Sequence, residues 1–563
     1  MPRAILVNCR SDIDFVKNKF SSDYNVFSRN IVTDFELDKE QILFNKYPLA
    51  KDKNSYDFVV WIALNWFRDE NGNDLSANEG ISLGNIIARR ILSAFANDYR
   101  NYLSIKSILL DNELIYASRS ESLSFKRVSK IFNNRIQYYN DKADFNESFT
   151  PDPEFTKSYI FPDVHPFSSI ARILQKPFMI FVKKRPILNI PDWTSRDVWK
   201  YRNDCLNLNS LFPWNGYYYK KIKKVDGKLN SLFPEDLDNT ILDIKRLKNL
   251  LLYKWNDCDD DLLKHFINLL QEEYYKAREI FKRTYSIFEE ILSYYSPKSI
   301  VIPGETHFGY VIAAQIARNL NIKTVLAIDG YQFVIDRSLL YKDNKNQKFI
   351  FDKFLAYNSQ HKSILTSMGV NKESCFVCIS PILKKQKVVE SSVIYDAIVM
   401  SYQPNQHNPQ ITWDQRGGII ADIIKLLKSK NYKKIGLKIK DGRNDKIYYQ
   451  QLLNNYNLLG NIDLLINPTW KYINSTKLVI GQFSTALLEF SYNKIPYFVY
   501  EPFENGKTEE MINSAIVFNR KSISRNIREL NNKLNTNSPS IISSHENMFN
   551  IQSLSQISTN VFL

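Results

Sequence analysis

The chain has 563 residues, with 75 lysines and arginines against 60 aspartates and glutamates, a formal net charge of +15. With 44% hydrophobic and 24% charged residues it is globular in composition, and its 16 glycines and 20 prolines exclude collagen-like and Pro-rich linker architectures. At roughly 100 to 200 residues per domain, the length predicts about two to four domains.

Residues 1–150 are expected to form an N-terminal α/β region, because strand-like and helix-like segments alternate there. The strand-like segments are Ala4 to Asn8, Tyr24 to Phe27, Phe58 to Leu64 and Glu113 to Ala117, and the long helical pattern is Ile81 to Leu110. The opening Met1-Pro2-Arg3-Ala4-Ile5-Leu6-Val7 has a short apolar run and no small-residue cleavage site. It reads as a first strand and not as a signal peptide. No apolar stretch approaches the roughly 20 residues of a spanning helix.

Residues 151–298 are expected to be an irregular Pro- and aromatic-rich segment followed by a helical insertion. Phe161-Pro162, His165-Pro166, Pro186, Pro191 and Pro213-Trp214-Asn215-Gly216 carry the first texture, and Leu247, Leu251, Trp255, Leu262, Phe266 and Leu269 carry helical spacing. Residues 299–385 read as a βαβ unit completing a first Rossmann-like domain, from Ile300-Val301-Ile302 through the helix around Ala313 and Ala317 to Thr324-Val325-Leu326-Ala327. Residues 386–545 read as a second such domain, with strands at Ala397 to Ser401, Lys434 to Ile439, Asp463 to Asn467, Leu478 to Gly481 and Tyr497 to Val499. Residues 546–563 form a tail. The expected fold class is therefore α/β, with two Rossmann-like domains facing a cleft and ligands beyond the carboxyl ends of the strands.

Five cysteines, Cys9, Cys205, Cys258, Cys375 and Cys378, form no disulfide framework and point to a reducing, cytoplasmic setting. The lone Cys375-Phe376-Val377-Cys378 lacks the four ligands of a structural zinc site and reads as buried thiols. The loop Asn65 to Asp74 places Trp66, Arg68 and Asp69 as candidate acceptor contacts, or else is a plain polar loop. Counted from Asp69 it fails as a calcium loop, with Asp74 at the sixth position and Gly80 at the twelfth. No metal is expected. Neither GxGxxG nor a Walker A motif occurs, which argues against dehydrogenases and ATPases. The basic residues are scattered and accompany no nucleic-acid motif, so nucleic acid is not an expected partner; the same surplus suits anionic lipid, an acidic polymer or a nucleotide-linked substrate, or else is solvated surface with no specific partner.

Three strand ends carry candidate chemistry. Glu305, His307 and Asp329 follow the first two strands of the βαβ unit and are candidate catalytic residues, with ordinary turn and helix-start chemistry as the other reading. Lys438 and Lys440 alternate to one side of a strand and are candidate phosphate ligands, or solvated lysines. Gln482, Ser484 and Thr485 sit where a strand turns into a helix, whose free N–H groups and positive end suit a nucleotide phosphate. Glu489 lies about a turn further on and suits ribose hydroxyls; a Ser/Thr N-cap with an exposed glutamate is the alternative.

A strand ending Ile480-Gly481-Gln482-Phe483-Ser484-Thr485-Ala486, with Glu489 and then Asn493-Lys494-Ile495-Pro496, resembles the donor-nucleotide motif of GT-B glycosyltransferases of bacterial surface-polysaccharide synthesis. That clan includes Kdo transferases, sialyltransferases of the same fold and the glycerophosphotransferases of teichoic acid synthesis. Over residues 299 to 500 the resemblance implies a GT-B-like fold and a Ser484/Thr485 pair on nucleotide phosphate. It also implies a nucleotide-sugar donor, CMP-linked Kdo first, with no required cofactor, and a glycan or lipid-linked glycan acceptor of lipopolysaccharide or capsule. Location would be cytoplasmic, compatible with the inner face of the membrane. The chain departs from the family twice. Lys440-Asp441 stands where a His-Pro is usual, and Ile328-Asp329-Gly330 replaces a Gln-His-Gly, which makes Asp329 the nucleophile or base and Glu305 its acid/base partner. The alternatives are a CDP-glycerol- or ribitol-type polyol-phosphate transferase and a non-catalytic polyanion- or membrane-binding protein.

Overall fold

The run Ala4-Ile5-Leu6-Val7 is wholly buried, yet its side chains serve two cores: Ala4 and Leu6 pack on one, Ile5 and Val7 on another. That is the signature of a parallel strand covered by helices on both faces, and the computed structural model repeats it through the chain. The structure describes residues 2–19, 24–29, 31–48, 55–119, 121–139, 185–190, 204–207, 227–252, 259–304, 308–327, 350–356, 359–367, 369–377, 394–401, 413–439, 443–458, 460, 462–467, 469–482, 485–502 and 520–536.

Among the described residues, three parallel sheets follow one another. The first comprises β1 (Arg3–Val7), β2 (Tyr24–Ser28), β3 (Asn45–Lys46) and, after the antiparallel hairpin β4 (Ala77–Asn78) and β5 (Ile81–Ser82), β6 (Leu114–Ser118) and β7 (Ile136–Tyr139). Its order is β3-β2-β1-β6-β7. The second comprises β8 (Ile187–Asn189), β9 (Cys205–Asn207), β10 (Ser299–Ile302), β11 (Lys323–Ala327), β12 (Lys353–Ala356) and β13 (Cys375–Val377), in the order β13-β12-β11-β10-β8-β9. The third comprises β14 (Ala397–Met400), β15 (Ile435–Lys438), β16 (Ile462–Leu465), β17 (Val479–Gly481), β18 (Tyr497–Tyr500) and β19 (Ile523–Ser524), in the order β16-β15-β14-β17-β18-β19. In the last, Ile398 and Met400 face one core while Ala397 and Val399 face the other.

Two long helices join the first sheet to the second. Leu83–Asp111 starts at Ser82, whose hydroxyl accepts the Asn85 N–H at 3.1 Å, and Asp260–Tyr295 starts at Asp259, whose carboxylate accepts the Leu262 N–H at 2.7 Å. They pack on each other and on the helix Phe308–Asn319, so one continuous apolar core runs between the sheets. Buried polar ties cross the same contact. Asp98, with no exposed side-chain surface, accepts from Arg127 at 2.8 and 3.1 Å and sits 2.8 Å from His265 Nε2. The Ser82 N–H donates to Gln315 Oε1 at 3.1 Å.

The α/β class with Rossmann-like parallel sheets is the one expected, and residues 187–524 supply two of those sheets. The N-terminal strands nevertheless keep a sheet of their own, and β10 to β13 pair with β8 and β9 instead. Those last two strands lie in the segment expected to be irregular; being three residues long, they carry no readable periodicity. Phe58 to Leu64, expected as a strand, belongs to the helix Ser55–Asn65. The helix is apolar almost all round because it is buried almost all round, and such a run looks alike in either conformation. Among the described residues, no helix is long and apolar enough to cross a membrane.

Candidate functional site

In the third sheet the chain steps outward from β14 to β15 and β16, then returns to lay β17 on the other side of β14. Doubly wound sheets open a crevice at such a reversal, beyond the carboxyl ends of the strands. Gly481 closes β17 there. A Cβ at this position would stand 2.8 Å from Met400 Cβ and 2.9 Å from its Cγ, so the absence of a side chain lets the two strand ends approach. The half-buried Gln482 follows, and the helix Thr485–Tyr492 begins three residues later with its positive end toward the crevice.

Two ionisable side chains flank this opening. Lys438 ends β15, is 8% exposed, and gives a hydrogen bond from Nζ to the Ile439 carbonyl, while its own carbonyl accepts the Ser401 N–H at 2.7 Å. Glu489, one turn into the helix from Thr485, has its carboxyl pushed up to about 7 by burial, with the Lys438 ammonium acting to lower it. A buried cation and a half-buried carboxyl thus flank the same crevice from opposite sides of β14. The first suits an anionic oxygen and the second a pair of hydroxyls. Lys440 and Ser484 lie outside the described residues, as does the Thr485 side chain.

The second sheet reverses between β8 and β10. Asn189, 1% exposed, ends β8; the Ile190 N–H donates to the Val301 carbonyl at 2.9 Å; and Gly304 follows β10 with Tyr310 3.5 Å from its Cβ position. Glu305, His307 and Asp329 come directly after β10 and β11 in sequence and lie outside the described residues, as does His165.

The loop proposed to touch an acceptor is built differently. Trp66 has no exposed surface and belongs to the core, so it offers an acceptor nothing to stack on; this corrects its expected role. The loop resembled a binding surface because aromatic and charged residues alternate in it, but the aromatic ones anchor it inward. Arg246 holds its backbone through the carbonyls of Trp66 at 2.6 Å and Arg68 at 2.7 Å. Arg68 donates to the Gly72 carbonyl at 3.0 Å. The Asp69 carboxylate accepts from Asn73 Nδ2 at 2.8 Å and from the N–H groups of Asn73 and Asn71 at 2.7 and 2.9 Å, and the Asn73 bond leads in holding it below its ordinary range. The loop is a self-closed Asx turn. Among the described residues no cluster of three His, Cys, Asp or Glu could hold a metal. Cys375 is buried and its thiol is pushed up to about 11 by burial; Cys378 lies outside the described residues. The pairing of Met400 with Gly481 and the placement of Asn189 were not singled out from sequence, because both depend on which strands lie side by side.

No protein-family model matches the chain, and no curated protein sequence does. Among solved structures, MnaA of S. aureus with UDP is similar at 11% identity over 49% of this chain and 75% of that one, TM-score 0.36. UDP-GlcNAc 2-epimerase of Neisseria meningitidis, bound to UDP-GlcNAc, is similar at 14% identity over 49% of this chain and 78% of that one, TM-score 0.36. HepE of Anabaena, in complex with UDP and glucose, is similar at 11% identity over 51% and 85%, TM-score 0.33. Likeness at this level carries no statement about activity.

Proposed function

We propose that the chain is a nucleotide-sugar-dependent enzyme, read most specifically as a glycosyltransferase that moves a sugar from a nucleotide donor to a surface glycan. The observation that carries this reading is the crevice between β14 and β17, with the buried Lys438 and the half-buried Glu489 on either side of a strand end closed by Gly481 and a helix start beside it. In this reading Lys438 neutralises donor phosphate, joined by Lys440, Gln482, Ser484 and Thr485, and Glu489 accepts from the ribose hydroxyls. Asp329, which follows β11 in sequence, acts as nucleophile or base with Glu305, which follows β10, as its acid/base partner and His307 as a further catalytic candidate. Arg68 and Asp69 are left as acceptor contacts only through atoms outside their turn. The sequence resemblance favours a CMP-linked donor, CMP-Kdo first, and a lipopolysaccharide or capsule acceptor.

Calorimetric titration of the full chain with CMP, CDP, UDP, GDP and ADP tests this, repeated on Lys438→Met and on Ser484→Ala/Thr485→Ala. Selective CMP binding that weakens in both variants supports a CMP-sugar enzyme. CDP preference moves the reading to a polyol-phosphate transferase, and binding of none of the five removes the nucleotide site altogether. Asp329→Asn should lower kcat with donor affinity retained, since it acts on the reacting bond.

A further inference from the structure

The first sheet has the same doubly wound character, with its own reversal between β1 and β6, and the proposed chemistry does not use it. Its crevice is filled by the chain. Where β1 turns into the helix Arg10–Lys19, the Asp12 carboxylate, with no exposed surface, accepts the N–H of Asn8 at 2.9 Å and of Cys9 at 3.0 Å through Oδ2. In this topology those are the donors that a phosphate would meet. Just beyond, Arg29, which follows β2, reaches across the end of β1 to Glu121 beyond β6, at 2.8 Å, with side chains 12% and 0% exposed. The same guanidinium lies 3.8 Å over the Tyr47 ring and donates to Asn101 Oδ1 at 3.4 Å. Ser28 and Thr33 hydroxyls pair at 2.6 Å, and the Tyr139 hydroxyl donates to the Leu6 carbonyl at 2.6 Å.

We propose that this N-terminal crevice is an anion site permanently occupied by the protein itself: Asp12 stands where a phosphate would sit, and the Arg29–Glu121 pair fills the space above it. The unit then serves as a rigid scaffold beside the long helices and holds no nucleotide of its own. Geometry favours this over a vacant site, because the turn's donors already have Asp12 Oδ2 as acceptor and the Arg29 guanidinium is already paired with Glu121 Oε2. Burial raises the carboxyls of both Asp12 and Glu121 against the hydrogen bonds that hold them, so these groups are kept inside at a cost that an open pocket would not require.

Hydrogen-exchange mass spectrometry on peptides covering residues 6–13 of the full chain tests the proposal, with inorganic phosphate as probe and sodium chloride at equal ionic strength as control. In the wild type these amides should be protected without phosphate and change by less than about twofold when it is added. In Asp12→Ala they should exchange at least about tenfold faster, and phosphate, but not chloride, should slow them again. Wild-type amides that gain protection from phosphate would overturn the proposal, as would Asp12→Ala amides that ignore it. Should Asp12→Ala fail to fold, the wild-type arm decides, with CMP and CDP added as further probes. The result is independent of whether the third sheet binds nucleotide.

Discussion

At the scale of single residues, the crevice of the third sheet holds its polar groups at a cost in stability. Glu489 titrates near 7 in the folded chain against 4.5 when exposed. Between those values the unfolded chain has released its proton and the folded one has not, so stability is greatest below about pH 4.5 and falls as pH rises through 7. The loss attributable to this group is on the order of 3 kcal/mol. Urea denaturation at pH 5 and pH 8 should show Glu489→Gln losing less stability than the wild type over that interval, while nucleotide affinity drops. Gly481 has a sharper constraint. A Cβ 2.8 Å from Met400 Cβ must displace a strand end, and Gly481→Ala should cost about 1–3 kcal/mol in the same measurement.

At the scale of elements, the helix Leu83–Asp111 joins the first two sheets, and its fit depends on what it lacks. Gly84 faces the buried Phe67 ring, with a Cβ position 2.0 Å from Cγ. Alanine ordinarily stabilises a helix by up to about 1 kcal/mol over glycine, but here the clash should reverse the sign. Gly84→Ala should destabilise by about 2 kcal/mol, and Phe67→Leu in the same chain should recover part of it, a coupling that a double-mutant cycle reads directly. Further along the same helix, Asp98 binds Arg127 and His265 from two neighbouring elements. Asp98→Ala leaves a part-buried guanidinium without its acceptor and should cost about 3 kcal/mol, seen as a lower thermal midpoint.

At the scale of the whole molecule, three sheets share an apolar core, so ligand at one of them is felt in the unfolding of the others. A nucleotide held at the third sheet at about 100 times its Kd should add about 2.7 kcal/mol and raise the thermal midpoint. Lys438→Met should abolish that shift, whereas Arg29→Met, in the filled N-terminal crevice, should lower the midpoint yet leave the nucleotide-induced increment intact. Differential scanning calorimetry with and without nucleotide separates the two.

Much of this was legible in the order of residues. Alternating apolar runs and helical spacing determined the α/β class, the parallel strands of residues 299–500, and the position of Lys438, Gln482 and Glu489 at strand ends and a helix start, because each is local chemistry read within a few residues. Phe58 to Leu64 shows where that reading stops: an apolar run states that it will be buried, and only its packing decides between strand and helix. Trp66 shows the same for a side chain, since indole serves a core or a ligand surface equally well until its neighbours are known. Tertiary structure alone decided that the N-terminal strands keep their own sheet, that Met400 meets Gly481, and that Asp12, Arg29 and Glu121 converge. Those depend on which strand lies beside which, and a crossover connection records that a strand returns parallel without recording its neighbour.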